Sequence, residues 1–196
     1  MIWKDGIDYE SGEYIYPKGV EIIQSSTPKF ARDKLKELSK YLFTEEPEQR
    51  RVIELLSEVK KEFKLADIND IALGSTANDY HKHVIEDKDE IILGDNCPIH
   101  TRGSAYHNHI IQNSKYQNKY ELIHSGEKVK YYYTDTNDDD FYVFSFIQNN
   151  FPIEVAPQMD YDKQFEKTII QPLNRFIDAI GLNPASSELI YTKELW

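Results

Sequence analysis

Residues 128–147 read KVKYYYTDTNDDDFYVFSFI, two apolar runs joined by an acidic segment. The first run (128–134) and the second (141–147) are rich in β-branched and aromatic side chains, which are typical of β-strands. The residues between them, TNDDD (136–140), are of the kinds that favour turns. This stretch therefore predicts two strands joined by a turn in the middle of a chain of 196 residues.

The sequence on both sides of this stretch has the spacing of helices. Apolar residues recur at intervals of three and four in segments 28–43 and 47–63, which predicts an antiparallel hairpin of two helices. The same spacing returns in segment 165–180, where Pro172 is expected to cause a kink or a break. The predicted fold class is α+β, with a helix hairpin, a small β segment and a C-terminal helix.

The composition predicts a folded intracellular protein. Hydrophobic residues make up 40% of the chain, which is enough to form a core. The single cysteine, Cys97, excludes an intramolecular disulfide and fits a reducing cytoplasm. The first ten residues show no signal-peptide pattern, and no run of about 18 apolar residues predicts a membrane span.

The charges are segregated along the chain. The net charge of −11 argues at first sight against a nucleic-acid partner. Segments 25–64 and 96–134 nevertheless carry a net positive charge, and the segments around them are negative. Such basic islands leave a nucleic-acid partner open, although an ordinary solvated surface also accounts for them.

The histidines and acidic residues raise the alternative of a metal-dependent nuclease or hydrolase. In HKH (81–83) and HNH (107–109) the histidines alternate, and on a strand each pair would face one way, as zinc ligands do. Cys97 and His100 add a thiol and an imidazole. No four potential ligands have the sequence spacing of a known zinc site. The chain also has no glycine-rich phosphate loop. No catalytic residue and no metal ligand is therefore predicted.

Five stretches of the chain, in order, resemble one known protein family. They are GVEIIQSSTPKFARDKLKE (19–37), STANDYHKH (75–83), CPIHTRG (97–103), SGEKV (125–129) and MDYDKQFEKTIIQPL (159–173). Together they are similar to the C-terminal part of the replicative family B DNA polymerases of T-even-type bacteriophages, where the palm ends and the thumb follows. The resemblance covers the chain from about residue 2 to its end.

The resemblance implies a domain organisation and a role. Residues 1–24 would complete the palm, residues 25–188 would form the thumb domain, and residues 189–196 would form a C-terminal peptide. The chain would be a subunit or fragment of a DNA-directed DNA polymerase, a nucleotidyltransferase, in the cytoplasm of an infected bacterial host. The exonuclease, fingers and catalytic palm would belong to a separate catalytic chain. That chain would bind Mg²⁺, and no cofactor is expected here.

The resemblance also suggests an interpretation of the acidic turn. YTDTND (133–138) lies one carboxylate short of the Tyr-x-Asp-Thr-Asp-Ser turn that holds catalytic metals in family B polymerases, because Asn137 replaces an aspartate. It lies downstream of SGEKV, where such thumbs have a variable loop, so we expect a solvated turn. Neutralising Asp138, Asp139 and Asp140 is then expected to change primer extension little.

In this family the thumb grips the primer-template double-stranded DNA through its sugar-phosphate backbone, which supports processive synthesis. Gly103 and Gly126 are expected to let the protein backbone approach the duplex. Gln171 and Asn96 stand where relatives carry lysine, which weakens the predicted grip. The matched motifs nominate as DNA-binding residues Lys82, His83, His100, Arg102, Lys128 and Lys167.

The C-terminus resembles the short hydrophobic peptide with which such polymerases dock on a sliding clamp. Aromatic and aliphatic ends buried in a pocket dominate small interfaces of this kind. An alternative function is therefore a non-catalytic protein that occupies a clamp without supporting synthesis. The predicted clamp-binding residues are Ile190, Tyr191, Leu195 and Trp196.

Overall fold

The computed structural model describes four parts of the chain, residues 26–44, 49–87, 90–136 and 140–179. The predicted palm segment 1–24 and the predicted clamp-binding peptide 189–196 lie outside the described residues. In the described parts no helix combines the length and the apolar character needed to cross a membrane.

The described residues form two compact units. One unit takes its residues from 26–71 and 165–179, and the other from 72–164. Both lie within the range 25–188 that the family resemblance assigns to a single thumb domain, and that assignment stays a prediction.

The predicted helix hairpin is confirmed in the first unit. It consists of α1 (Lys29–Thr44) and α2 (Gln49–Leu65), followed by the short α3 (Ile68–Ile71). The ring of Phe30, near the start of α1, packs edge to face against the ring of Phe63, near the end of α2, with their centroids 5.5 Å apart. The two helices are therefore antiparallel. The buried stripes are those that the periodicity predicts: Ala31, Leu35, Leu38 and Leu42 on α1, and Val52, Leu56, Val59 and Phe63 on α2.

The second unit is built on a three-stranded antiparallel sheet in the order β1–β4–β5. The strands predicted in segments 128–134 and 141–147 are β4 and β5, and they pair from Val129 opposite Ile147 to Tyr133 opposite Val143. A separate hairpin of β2 and β3 completes the β structure of this unit. In chain order its elements are β1 (Leu73–Thr76), α4 (Tyr80–His83), β2 (Val84–Asp87), β3 (Glu90–Leu93), α5 (Ile99–Gln112), β4 (Lys128–Tyr133) and β5 (Val143–Ile147).

Helix α5 covers the sheet, and the hydrophobic periodicity of the sequence does not predict it. Its buried face repeats with helical spacing at Thr101, Ser104, Asn108 and Ile111, and the first three of these are small or polar rather than large and apolar. Gly103 lets the helix approach β5 closely enough for Ser145 Oγ to donate a hydrogen bond of 2.9 Å to the carbonyl of His100. A small, polar helix face of this kind escapes a search for hydrophobic periodicity.

The C-terminal helical segment contains the break expected near Pro172. It begins as α6 (Tyr161–Phe165), continues as a π-helical turn (Glu166–Ile170) and ends as α7 (Gln171–Ala179). The Gln171 N–H donates to the carbonyl of Glu166, five residues earlier. Because a proline ring conflicts with the α-helical turn before it, a wider turn just ahead of Pro172 relieves that conflict.

Candidate functional site

The motifs STANDYHKH and SGEKV meet at one end of the β1–β4 pair. Thr76 lies opposite Lys128 in the antiparallel register. Beyond it, the Ala77 N–H donates to the carbonyl of Glu127 at 2.8 Å, and the Gly126 N–H donates to the carbonyl of Ala77 at 2.8 Å. Two segments about 50 residues apart in sequence are therefore locked together by their backbones.

The motif CPIHTRG contacts the β1–β4 pair through the ring of His100. The ring of His100 lies 6.4 Å from the ring of Tyr131 on β4. Burial lowers the pKa of His100, and hydrogen bonding to the backbone of Thr76 opposes this shift. His100 therefore favours the neutral imidazole at neutral pH, which suits a hydrogen-bonding role better than a charged phosphate contact.

Asn108 on α5 fixes this arrangement from beneath, and the sequence analysis missed it. Its Nδ2 donates to the carbonyl of Ile123 at 2.9 Å, and its Oδ1 accepts from the Ile123 N–H at 2.7 Å. The same Nδ2 lies 3.2 Å from the hydroxyl of Tyr80, the first residue of α4. The Tyr80 N–H in turn donates to Ser125 Oγ at 3.4 Å. One buried amide thus holds both α4 and the chain that leads into the turn at Gly126.

The nominated residues Lys82, His83 and Lys128 lie on the segments that meet here. Lys82 is exposed on α4 and forms a 2.8 Å salt bridge with Asp79, which lowers the pKa of Asp79. His83 is half-buried, and its carbonyl accepts from the Gly94 N–H at 2.8 Å. Lys128 is exposed at the start of β4 and takes part in no salt bridge within the described ranges.

Gly103 and Gly126 differ in what surrounds them. A Cβ on Gly103 would lie 2.6 Å from Ser145 Oγ and 2.9 Å from the Ser145 backbone nitrogen, so this glycine faces β5. The expectation that Gly103 lets the backbone approach DNA is therefore wrong. Gly126 is exposed, has a φ of +91° and has open space around its Cβ position. Its predicted approach to DNA stays a prediction.

Arg102 pairs with the last residue of the acidic segment. Its Nη1 donates to Asp140 Oδ1 at 2.9 Å and to the Asp140 carbonyl at 3.2 Å. Its guanidinium carbon also lies 5.6 Å from the centroid of the Tyr142 ring. Asp140 is therefore an ion-pair partner of a nominated DNA-binding residue, although its own side chain is exposed.

Lys167 belongs to the first unit and lies in the π-helical turn. In that turn Gln171 Nε2 donates to Glu166 Oε1 at 2.9 Å, so the Gln171 amide is paired with a neighbouring carboxylate. Single π-helical turns are frequent at functional sites. The part of Lys167 in DNA binding stays a prediction.

The histidine pairs do not have the geometry that the metal-site alternative requires. HKH (81–83) lies in α4 and HNH (107–109) lies in α5, so neither pair stands on a strand with both rings on one face. The described residues contain no group of three or more His, Cys, Asp or Glu side chains that could hold a metal ion. Burial raises the pKa of the Cys97 thiol, which disfavours the thiolate that metal binding needs.

His107 is buried beneath the sheet, where its Nε2 lies 3.0 Å from the carbonyl of Glu121 and its ring lies 5.4 Å from that of Phe144. Burial lowers its pKa below the ordinary value, so the unfolded chain binds this proton more readily than the folded chain. The resulting stability is complete above about pH 6.5 and is lost as the pH falls towards the folded-state pKa.

We therefore expect the unfolding free energy to fall on acidification below about pH 6.5, with a contribution from His107 of at most about 1.4 kcal/mol per pH unit. Urea unfolding at a series of pH values measures this. The His107→Gln variant should show a smaller dependence on pH over the same range. An equal dependence in both proteins would contradict the prediction.

The described residues thus define a mixed α+β fold with one sheet end at which three sequence motifs meet. No protein-family model and no curated protein matches the chain. Among solved structures, the chain is similar to the family B DNA polymerase from the hyperthermophilic archaeon Pyrobaculum calidifontis. The TM-score is 0.50, the sequence identity is 15%, and the similarity covers 81% of this chain and 18% of that polymerase. At this identity the similarity concerns the fold, and the chain spans less than a fifth of the polymerase's length.

Proposed function

We propose that this chain is the thumb part of a family B DNA polymerase and grips primer-template DNA through its phosphate backbone. The observation that carries the proposal is the meeting of STANDYHKH, CPIHTRG and SGEKV at one end of the sheet. Lys82 and Lys128 lie on the joined segments, and the turn just before Lys128 has open space at the Cβ position of Gly126. A polymerase must bind every sequence alike, so cations and backbone groups suit its grip better than groups that read base edges.

The proposal extends to a partner. The chain carries no predicted catalytic residue, and it spans a small part of the polymerase to which its fold is similar. It would work with a separate catalytic chain that holds the palm, fingers, exonuclease and Mg²⁺, as in a polymerase of T-even-type phages divided into subunits. The C-terminal peptide with Leu195 and Trp196 would dock on the sliding clamp.

Duplex binding tests the grip. Anisotropy of a labelled duplex over a salt series should give a log–log slope of about −3.6 if Lys82, Arg102, Lys128 and Lys167 each contact a phosphate. The variant Lys82→Gln/Lys128→Gln should bind more weakly, with a slope of about −1.8, because each lost contact removes about 0.9 from its size.

Lys115→Gln is the matched control, because Lys115 is an exposed lysine of the same unit whose ammonium lies 5.2 Å from the Tyr116 ring. This variant should keep the wild-type slope. A slope near zero for the wild-type protein, or the same slope in all variants, would overturn the proposal. Primer extension by the catalytic chain with and without this protein then separates a polymerase subunit from a protein that only occupies a clamp.

A further inference from the structure

Two cations also lie against the ring of Tyr142, a residue of the second unit that belongs to none of the five motifs. Arg102 from α5 approaches this ring to 5.6 Å. The ammonium of Lys163 from α6 lies 5.3 Å from the same centroid and 5.3 Å from the ring of Tyr133. A guanidinium and an ammonium are thus held against one aromatic ring by three separate segments of the chain.

This cluster already holds an anion, the carboxylate of Asp140. The Arg102 side chain is 18% exposed and the Asp140 side chain is 70% exposed, so the carboxylate reaches the guanidinium from the solvent side. Lys163, by contrast, forms no salt bridge within the described parts of the chain. Its neighbour Asp160 uses a carboxylate oxygen to accept the backbone N–H of Lys163 at 2.9 Å.

We propose that Arg102, Lys163 and Tyr142 form a second site for a backbone phosphate of DNA, which Asp140 occupies while the protein is free. This inference rests on the proposed function. Carboxylate and phosphate oxygens are the acceptors that a guanidinium binds best, so the pair with Asp140 shows that the site accepts an anion of this kind. Asp140 is tethered on the acidic segment and competes with the phosphate.

The proposal changes what is expected of the acidic turn. A carboxylate that only faces solvent affects DNA binding through general repulsion, whereas Asp140 must leave Arg102 before a phosphate enters. Asp140→Asn should therefore tighten duplex binding by about threefold to tenfold, the size of a partly exposed ion pair. Lys163 would then be a fifth phosphate contact, which raises the size of the expected wild-type slope from about 3.6 to about 4.5. Lys163→Gln should weaken binding and return the slope to about −3.6.

A double-mutant cycle on the full chain tests the competition directly. Asp140→Asn and Arg102→Gln are measured singly and together by duplex anisotropy at one salt concentration. The tightening caused by Asp140→Asn should disappear in the Arg102→Gln background. Arg102→Lys serves as a second background if Arg102→Gln unfolds, because it keeps the charge and loses the planar fork.

Asp135→Asn is the matched control, because Asp135 is an exposed carboxylate on the same acidic segment and its backbone N–H, not its side chain, bonds to Gln158. It should shift affinity little, and equally in both backgrounds. Equal tightening by the two asparagine variants, or tightening that survives without Arg102, would overturn the proposal. If wild-type binding depends on salt as expected but the cycle shows no coupling, the second site fails and the proposed function stands.

Discussion

Replacing Gly103 with alanine is expected to destabilise the second unit by about 1–3 kcal/mol. The added Cβ would lie 2.6 Å from Ser145 Oγ, 2.9 Å from the Ser145 backbone nitrogen and 3.0 Å from Val143 Cγ1. The backbone nitrogen belongs to β5 and cannot rotate away, so α5 must separate from the sheet. The sign is diagnostic, because glycine to alanine inside a helix ordinarily stabilises by about 0.5–1 kcal/mol.

Urea or thermal unfolding of the purified protein measures this change. Gly94→Ala is the matched control, because the nearest heavy atom to its added Cβ would be the His83 carbonyl oxygen at 3.5 Å, an ordinary contact. It should leave the unfolding free energy within about 0.5 kcal/mol of wild type. A Gly103→Ala protein as stable as wild type, or more so, would show that α5 does not need this close approach.

Replacing Asn108 with alanine is expected to have a still larger effect, about 2–4 kcal/mol. The change leaves the N–H and the carbonyl of Ile123 without their partner in a buried position, and each buried unpaired polar group costs about 1–3 kcal/mol. The Tyr80 hydroxyl loses the same amide. Because Asn108 joins α4 to the turn that precedes β4, DNA binding should weaken even at temperatures where the variant is folded.

Asn113→Ala is the matched control, because it removes an asparagine amide near α5 without touching the bonds to Ile123. Asn113 follows α5 and is exposed, and among the described residues its side-chain amide bonds to His109 alone. Its variant should change stability by less than about 0.5 kcal/mol and leave DNA binding unchanged. Equal effects of the two substitutions on stability and binding would mean that the bonds to Ile123 do not organise the site.

The elements that the sequence predicted well are those with large apolar residues at regular intervals. The hairpin of α1 and α2 and the strands β4 and β5 follow from burial of such residues. Helix α5 was missed, because most of the face it buries consists of threonine, serine, asparagine and glycine beside alanine. These residues satisfy hydrogen bonds and allow close packing, and neither property is visible in a hydrophobic pattern. Helix α4 was missed because it has four residues, too few to show a helical period, and Tyr80 is the one that it buries.

The candidate site, like the fold, was predicted in part from the sequence. The motif segments, their order and the basic residues on them are present in the sequence, and they were enough to nominate Lys82, His100 and Lys128. Asn108, which acts on backbone groups 15 residues away, is not apparent in any motif or period. Nor does any pattern indicate that His100 is half-buried, with a lowered pKa.

By itself, the sequence determined which segments with regularly spaced large apolar residues become helices and strands and which residues carry charge, because local periodicity and residue chemistry decide both. Only the tertiary structure decided which charges meet. Arg102 and Asp140 are 38 residues apart, and the packing of α5 on β5 brings them together. Lys163 reaches Tyr142 because the chain returns after β5 to form α6. An ion pair depends on distances of a few ångströms, and those distances are fixed by register and close packing across the whole unit.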